Sequence, residues 1–305
     1  MDLKKRIKQI PLHRLVKKVL GFDEIYTIAY RKRNDGIILD SLNREFSIIP
    51  YSDKYWYADP IAFTKNGEDY LFVEKFDRKK QKGRIAFSEL NDNNICFRTV
   101  IEENYHMSFP MVFEWNGDVY MIPETSENKS INIYIAEAFP DKWKCVDVIR
   151  TEEKLVDTVI IEKNNMDIVI LASEICDGNE LFVRYVKYKL KMLDSGKFAL
   201  EKIEKSDLFN LNDRNAGRIF EYKGESYLPT QNSSEFDYGV SLSYRDKNGN
   251  EIKKIEADDI VVDKISKGNI IGVHTYSITD KYEIIDLRYL KYSPICTYAK
   301  YLKKR

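Results

Sequence analysis

The chain is poor in the residues that announce metal or redox chemistry. It has four cysteines (Cys96, Cys145, Cys176 and Cys296) and three histidines in 305 residues. The cysteines are far apart and form no Cys-x-x-Cys pair, so neither a zinc site nor a disulfide framework is indicated. They read as reduced core thiols of a cytoplasmic protein, and no metal or cofactor is expected. An excess of charge is also missing: Lys plus Arg and Asp plus Glu each number 49. No global field draws in nucleic acid, which is therefore not an expected partner. No apolar run approaches the length of a membrane-spanning helix, and the N-terminus lacks the apolar stretch and small-residue cleavage site of a signal peptide. No Pro/Ser-rich linker or low-complexity tract marks a domain boundary.

What the chain does have is aromatic residues, 13% of the total, set in alternating stretches that suit β-strands packed face to face. It also has a strand-turn-strand phrase that recurs about every fifty residues. The copies are DPIAFTKNGEDYLFVEKFD from Asp59, FPMVFEWNGDVYMIPETSE from Phe109, DTVIIEKNNMDIVILASEI from Asp157 and AGRIFEYKGESYLPTQNSS from Ala216. A repeat of this period built from strands and tight turns predicts a propeller with one blade per copy.

The expected fold is all-β: a five-bladed β-propeller over residues 23–305 with a short N-terminal basic helix over 1–22. Blade one runs from about Ile48 to Ile101 and blade two from His106 to Ile149. Blade three starts at Asp157, blade four at Ala216, and the fifth uses NIIGVHTYSI and KYEIIDLRYL. The strand near Tyr26 to Arg31 is expected to complete the last blade, because propellers protect an open edge by pairing strands from the two ends of the chain. The N-terminal segment interleaves Lys4, Lys5, Arg6, Lys8, Arg14, Lys17 and Lys18 with apolar residues, and Pro11 interrupts it. Two readings stay open: a helix packed across the propeller, or attachment of residues 1–21 to an anionic membrane surface, helped by Lys300, Lys303, Lys304 and Arg305.

Equivalent positions of innermost strands converge at one mouth of a propeller channel, so repeat register becomes spatial proximity. Aligned on Asn66-Gly67, Asn116-Gly117, Asn164-Asn165 and Lys223-Gly224, the copies bring Asp59 and Asp157 to that mouth, with Glu74, Glu124, Glu174 and Gln231 on neighbouring strands. Paired acids there suit general acid and base work on a glycosidic bond. Each acid could equally cap a turn or pair with an arginine.

The order WYADP at Trp56 to Pro60, Phe109-Pro110, Val156-Asp157 and a fourth blade near Ala216 resembles the five-bladed superfamily of arabinanases, β-xylosidases and invertases. That resemblance implies Asp59 as base or nucleophile and Asp157 as the residue that positions substrate and tunes acidity. The Glu that opens blade four in those glycosidases, their general acid, has no match: Asn215-Ala216-Gly217-Arg218 stands there. Ordinary hydrolysis loses its usual acid, for which Glu124 or Glu174 could substitute.

The phrases WYADP, GRIAFSEL, FPDKW, VDTVIIE, AGRIFEYKGESYLPTQ, YGVSL and GVHTYS more closely resemble the propeller domain at the N-terminal side of plant glucosamine inositolphosphorylceramide transferases, over about residues 24 to 290. The resemblance implies a role in surface polysaccharide or glycolipid assembly. It highlights Asp59, Glu74, Glu124, Asp157, Arg218, Gln231, Tyr238 and His274. On this basis the chain is expected to transfer a glycosyl group from a phosphate-bearing sugar donor, such as a sugar nucleotide, to a glycan or glycolipid acceptor. Asp59 would act as base, Asp157 and Glu124 would orient hydroxyls, and Arg218 would neutralise the phosphate. Arg218 could instead bridge to Asp59 or Glu124. His274 could be an acid or base or a structural residue, and Trp56 and Tyr238 could stack on a sugar or pack between blades. A glycoside hydrolase with a relocated acid and a non-catalytic glycan-binding module are the alternatives. The expected location is cytoplasmic, peripheral to the membrane if the basic segment binds lipid.

Overall fold

The computed structural model describes residues 20–33, 36–40, 45–91, 95–176, 178–206, 213–234, 237, 239–265 and 269–292. The expected basic helix, Tyr238, Cys296 and the basic C-terminal cluster lie outside them, apart from Leu20 and Gly21, which form a turn, and Phe22, which is in a strand instead of the expected helical segment. Among the described residues no helix is long and apolar enough to cross a membrane.

The strands fall into five sheets. β1 (Phe22–Lys32) and β2 (Glu45–Ile48) belong to the closing sheet. Blade one is β3 (Tyr55–Lys65), β4 (Glu68–Asp77), β5 (Lys82–Glu89) and β6 (Arg98–Ile101). Blade two is β7 (Ser108–Trp115), β8 (Asp118–Thr125), β9 (Ser130–Ala138) and β10 (Lys142–Arg150). Blade three is β11 (Leu155–Lys163), β12 (Asp167–Cys176), β13 (Asn179–Met192) and β14 (Phe198–Ser206). Blade four is β15 (Asp213–Asn215), β16 (Phe220–Tyr222), β17 (Glu225–Asn232), β18 (Ser241–Arg245) and β19 (Glu251–Glu256), with β15 and β16 both pairing β17. Blade five is closed by β20 (Val261–Val262), β21 (Ile270–Ile278) and β22 (Tyr282–Tyr292), in the order β20-β2-β1-β22-β21. The strand expected near Tyr26 does complete this blade: β1 pairs antiparallel with β22 along its whole length, from Phe22 opposite Tyr292 to Lys32 opposite Tyr282.

Local chemistry explains why the copies fold alike. Asn66-Gly67, Asn116-Gly117 and Lys223-Gly224 all have positive φ at both positions, the backbone of the two-residue turn that matches strand twist. Blade three has no glycine there. Its Asn164 side chain accepts the N–H groups of Met166 and Asp167 (2.7 and 3.0 Å) instead, so the same reversal is made with one more residue.

The apolar core is not one mass but a set of wedges between blades. Ile28, Ile49, Leu71 and Ile284 join blades five and one; Phe72, Phe87, Val112 and Met121 join one and two; Ile122, Ile133, Ile170 and Leu190 join two and three; Leu242, Tyr244, Tyr276 and Leu287 join four and five. Each blade buries both faces, which accounts for the supply of aromatics. The cysteines were expected in this core, but Cys96 and Cys145 are exposed and Cys176 is half-buried; all three are unpaired thiols. Cys96 precedes β6 and Cys176 ends β12, while Cys145 is on β10, the outer edge strand of blade two.

Candidate functional site

The innermost strands β3, β7 and β11 run in one direction, and each breaks step with its partner near its start. Register shifts fall between Ala58 and Ile61, Ser108 and Met111, and Val156 and Val159, and a like shift falls between Val273 and Tyr276 of β21. At the first three breaks the extra residue is left-handed: Asp59 has φ 51°, Phe109 φ 41° and Asp157 φ 49°. Asp tolerates this region through its short polar side chain, whereas for a bulky residue such as Phe109 it costs about 1–3 kcal/mol. The bulges turn these side chains out of the strand's alternation and free their N–H groups from the ladder.

Carboxylates collect those N–H groups. Asp59 N–H donates to Asp286 (2.9 Å), Phe109 N–H to Asp59 (3.2 Å) and Asp157 N–H to Glu124 (3.2 Å). His274 and Thr275 N–H both donate to the other Asp286 oxygen (3.2 and 2.8 Å). The mouth is thus held by backbone donors passed from blade to blade.

Here a cavity of about 440 Å³ opens, lined by Asp59, Glu74, Glu124 and Asp157 together with Arg214, Gln231 and His274. Tyr26, Trp56 and Phe76 make an aromatic wall: Trp56 and Phe76 stack at 4.2 Å and 9°, and Tyr26 lies 4.9 Å from Trp56. Lys154 and Glu127 stand exposed at the rim. Gln231 donates to Asp157 (3.4 Å) and to the Asn215 carbonyl (3.0 Å). Arg214 donates to Asp157 at 2.5 Å and lies 3.8 Å from Glu124. His274 Nδ1 meets Asp286 at 2.6 Å, and its Nε2 faces Asp59 at 3.6 Å.

Crowded, buried carboxylates resist ionisation. Burial, with the charges of Asp286 and Asp157 added to it, pushes Asp59 up to about 6 against the opposing pull of His274. Burial and Glu124 bring Asp157 to about 6 despite Arg214. Glu124 is raised by burial, with Arg214 and Ser126 opposing. Glu74 is raised well above the carboxylate range by burial and by its neighbours Asp59, Glu124 and Asp286. Its Oε1 is buried without a hydrogen-bond partner, 3.5 Å from His106 Nε2. A Cβ on Gly83 would come within 2.5 Å of that oxygen, so a glycine is what lets Glu74 lie there. Burial alone disfavours the His274 imidazolium, yet Asp286, Asp59 and Asp157 together raise it.

Asp59, His274 and Asp286 offer ligand atoms within 4.8 Å of one another. Asp286, however, accepts four N–H groups, two on each oxygen. It has no lone pair left for an ion, and the two remaining donors make a poor metal site.

Of the residues expected at this mouth, Asp59, Glu74, Glu124, Asp157, Gln231, His274 and Trp56 line the cavity. Glu174 and Arg218 do not. In blades one and two the residue opposite the last in-register position is the glutamate, Glu74 facing Ala58 and Glu124 facing Ser108. In blade three Ser173 faces Val156, and Glu174 is one step further on. A one-residue offset turns a side chain to the other face of the sheet, and Glu174 meets Arg184 and Lys202 there (2.5 and 3.0 Å). The longer turn at Asn164 and a second shift between Ile160 and Glu162 supply the offset. Arg218 donates to the Val112 carbonyl, away from Asp59 and Glu124; the guanidinium at the acids belongs to Arg214.

Sequence reading missed Arg214, Asp286, His106, Tyr26 and Phe76. Arg214 lies just ahead of the repeated phrase. Asp286 left one signal, an acid inside the apolar run KYEIIDLRYL.

The profile described as "Glucosamine inositolphosphorylceramide transferase 1, N-terminal" matches residues 47–270, a span that includes all the cavity acids but stops short of His274. Glucosamine inositolphosphorylceramide transferase 1 of Arabidopsis thaliana is 30% identical over 196 residues, 61% of this chain and 24% of that protein. The protein of the same name from Oryza sativa subsp. indica is 27% identical over 58% of this chain and 24% of its own length. The chain therefore spans about a quarter of the length of the plant relatives it matches. The catalytic domain of the Coprinopsis cinerea GH62 α-L-arabinofuranosidase superposes with a TM-score of 0.50 at 10% identity, covering 79% of this chain and 93% of that one, a likeness of fold.

Proposed function

Because the chain belongs to the family of the glucosamine inositolphosphorylceramide transferase 1 N-terminal region, we propose that it acts on a sugar in glycolipid or surface-glycan assembly, with the acidic cavity as the sugar site. The observation that carries this reading is Glu74, a buried carboxyl pushed toward its protonated form by burial and by the charge of Asp59, with an oxygen that has no hydrogen-bond partner among the described residues, in a cavity that has an aromatic wall. Such an arrangement supports glycosidic-bond chemistry with an acid the chain had seemed to lack. Glu74 gives its proton to the leaving oxygen as the C–O bond breaks. Asp59, near pH 6, takes the proton of the attacking hydroxyl, whether of an acceptor sugar or of water. Asp59 then releases its proton to solvent and Glu74, whose protonated form is favoured by burial and by the charge of Asp59, takes one up again, so the pair is reset. Asp157, held by Arg214 and Gln231, orients sugar hydroxyls with Glu124.

A phosphate-activated donor is the second reading. Lys154 at the rim is the group that favours it, since Arg214 is engaged by two acids and Arg218 is elsewhere. The deep cavity itself favours a cation. With Glu127 and Lys154 at the rim and Glu74 pushed toward its neutral form, Asp59, Glu124 and Asp157 remain against Arg214 and two histidines, and an amino sugar brings an ammonium that these carboxylates can pair with.

Calorimetry with glucosamine, glucose and sugar nucleotides tests this. At pH 7.5 glucosamine is expected to bind roughly tenfold more tightly than glucose, a difference of about 1.4 kcal/mol. The gap closes as pH falls below 6, where Asp59 and Asp157 take up protons. Binding of sugar nucleotides with no response to free sugars or glycosides would remove the glycoside reading in favour of the activated donor. Tight glycan binding without turnover would assign a recognition module.

A further inference from the structure

We propose that the opposite mouth of the channel is a second binding site, for a phosphate or carboxylate group carried on a small apolar body, with Arg218 as its anchor. It stands independently of the sugar site. The acidic cavity uses the first residues of β7 and β11; a separate cavity of about 220 Å³ lies further along the same strands, lined by Met111, Val112, Phe113, Ile160, Ile161 and Arg218, with Glu162 and Lys163 at its edge. Val112 is four residues beyond Ser108, about 13 Å along β7 at about 3.3 Å per residue, and Ile160, Ile161, Glu162 and Lys163 are the last residues of β11, so this cavity lies toward the other end of the channel.

Arg218 reaches this place by crossing the channel. It leaves blade four, lies 5.5 Å from the Phe63 ring of blade one and donates to the Val112 carbonyl of blade two. Gly217 sends it there. With φ 152° and a would-be Cβ 2.1 Å from the Tyr276 carbonyl oxygen, it lets the loop lie directly against blade five.

Among the described residues no acid pairs with the guanidinium. Arg31, Arg84, Arg214, Arg245 and Arg288 are buried and each is paired with a carboxylate. Arg218 is paired with a backbone carbonyl, and its buried Nε has no hydrogen-bond partner. Burial alone pulls it down to about 10, so it is still a cation at neutral pH. Lys163 likewise donates to a carbonyl, that of Glu114, at 2.6 Å. The acids nearby, Glu162 and Glu114, are exposed, and Glu114 is shared with Lys65 at 3.4 Å. Arg218 is half-buried; a partly desolvated cation without a counter-charge lowers stability, and apolar walls around it suit an anion with an apolar body.

The test is calorimetry on the full chain with hexyl phosphate, hexanoate, inorganic phosphate and hexanol, and flotation with vesicles containing phosphatidic acid. Hexyl phosphate or hexanoate is expected to bind, hexanol is not, and Arg218→Met weakens binding roughly tenfold or more. Without ligand, Arg218→Met melts at the same temperature as the parent or higher. Vesicle binding that Arg218→Met abolishes assigns a lipid headgroup; binding of hexyl phosphate alone assigns a soluble ligand. If Arg218→Met does not fold, Lys163→Ala probes the same mouth from its rim, with a loss of roughly threefold expected. Failure of every anion to bind the parent chain, or anion binding unchanged in the variants, overturns the proposal and leaves Arg218 as a plug of the channel.

Discussion

Glu74→Gln will lower turnover of a glycoside whose leaving group needs a proton by roughly 10²–10⁴-fold, the range for loss of a general acid. The amide is isosteric and keeps the contact with His106, so binding should change little. A dinitrophenyl glycoside, whose leaving group departs without protonation, should be largely spared. The parent chain's rate should fall at alkaline pH as Glu74 loses its proton, and that limb should vanish in the variant. The direction follows from the raised position of Glu74, set first by burial and then by Asp59 and Glu124. Equal losses on both glycosides would mean that Glu74 shapes the cavity without donating a proton.

Asp59→Asn will make the protein more stable at pH 7 while disabling the site. Asp59 is raised from 3.8 to about 6, so its protonated form is the one the fold accommodates. That contribution is complete below about pH 4 and is lost as pH rises through 6. Two units at about 1.4 kcal/mol each put the penalty of the ionised form at about 3 kcal/mol by pH 7. With its carbonyl oxygen in the place of Oδ2 the asparagine still accepts from Phe109 N–H, which donates to Asp59 at 3.2 Å, and its amide N–H can donate to Thr275 Oγ1, which now gives Asp59 a hydrogen bond at 3.1 Å. A gain of about 2 kcal/mol is expected in urea unfolding at pH 7 and none at pH 4. A variant that is less stable at both pH values would show that the His274 contact outweighs desolvation. Stability given up at a site in this way is a common mark of function.

The fold was legible because its signals are local and repeated. Tight-turn residues, alternating apolar positions and a fixed spacing all describe one blade, and four copies with a further strand pair after them leave little freedom of arrangement. Asp59, Glu74, Glu124, Asp157 and Gln231 were legible for the same reason, since register converts directly into place. Glu174 shows the limit. One added turn residue and a bulge, neither visible as a change of composition, turned it to the outer face. Arg218 shows another: the alignment put it at the start of blade four, in the mouth with the acids, but the direction of its side chain depends on Gly217 packing against Tyr276 of another blade. Asp286 was hidden because its role is to receive N–H groups released by bulges, and bulges cannot be counted from apolar alternation.

The seam of the ring has a consequence for how the molecule comes into being. β1 is made first among the described strands, and its partner β22 is made last. That contact spans nearly the whole chain, the kind of closure that is slow and leaves an edge open until it forms. Asp286 is on β22, opposite Ile28 of β1, and it is Asp286 that fixes His274 and the backbone of Asp59. A nascent or partly unfolded chain therefore has its acids but not their arrangement, and the geometry of the mouth arrives only with the last of the described strands.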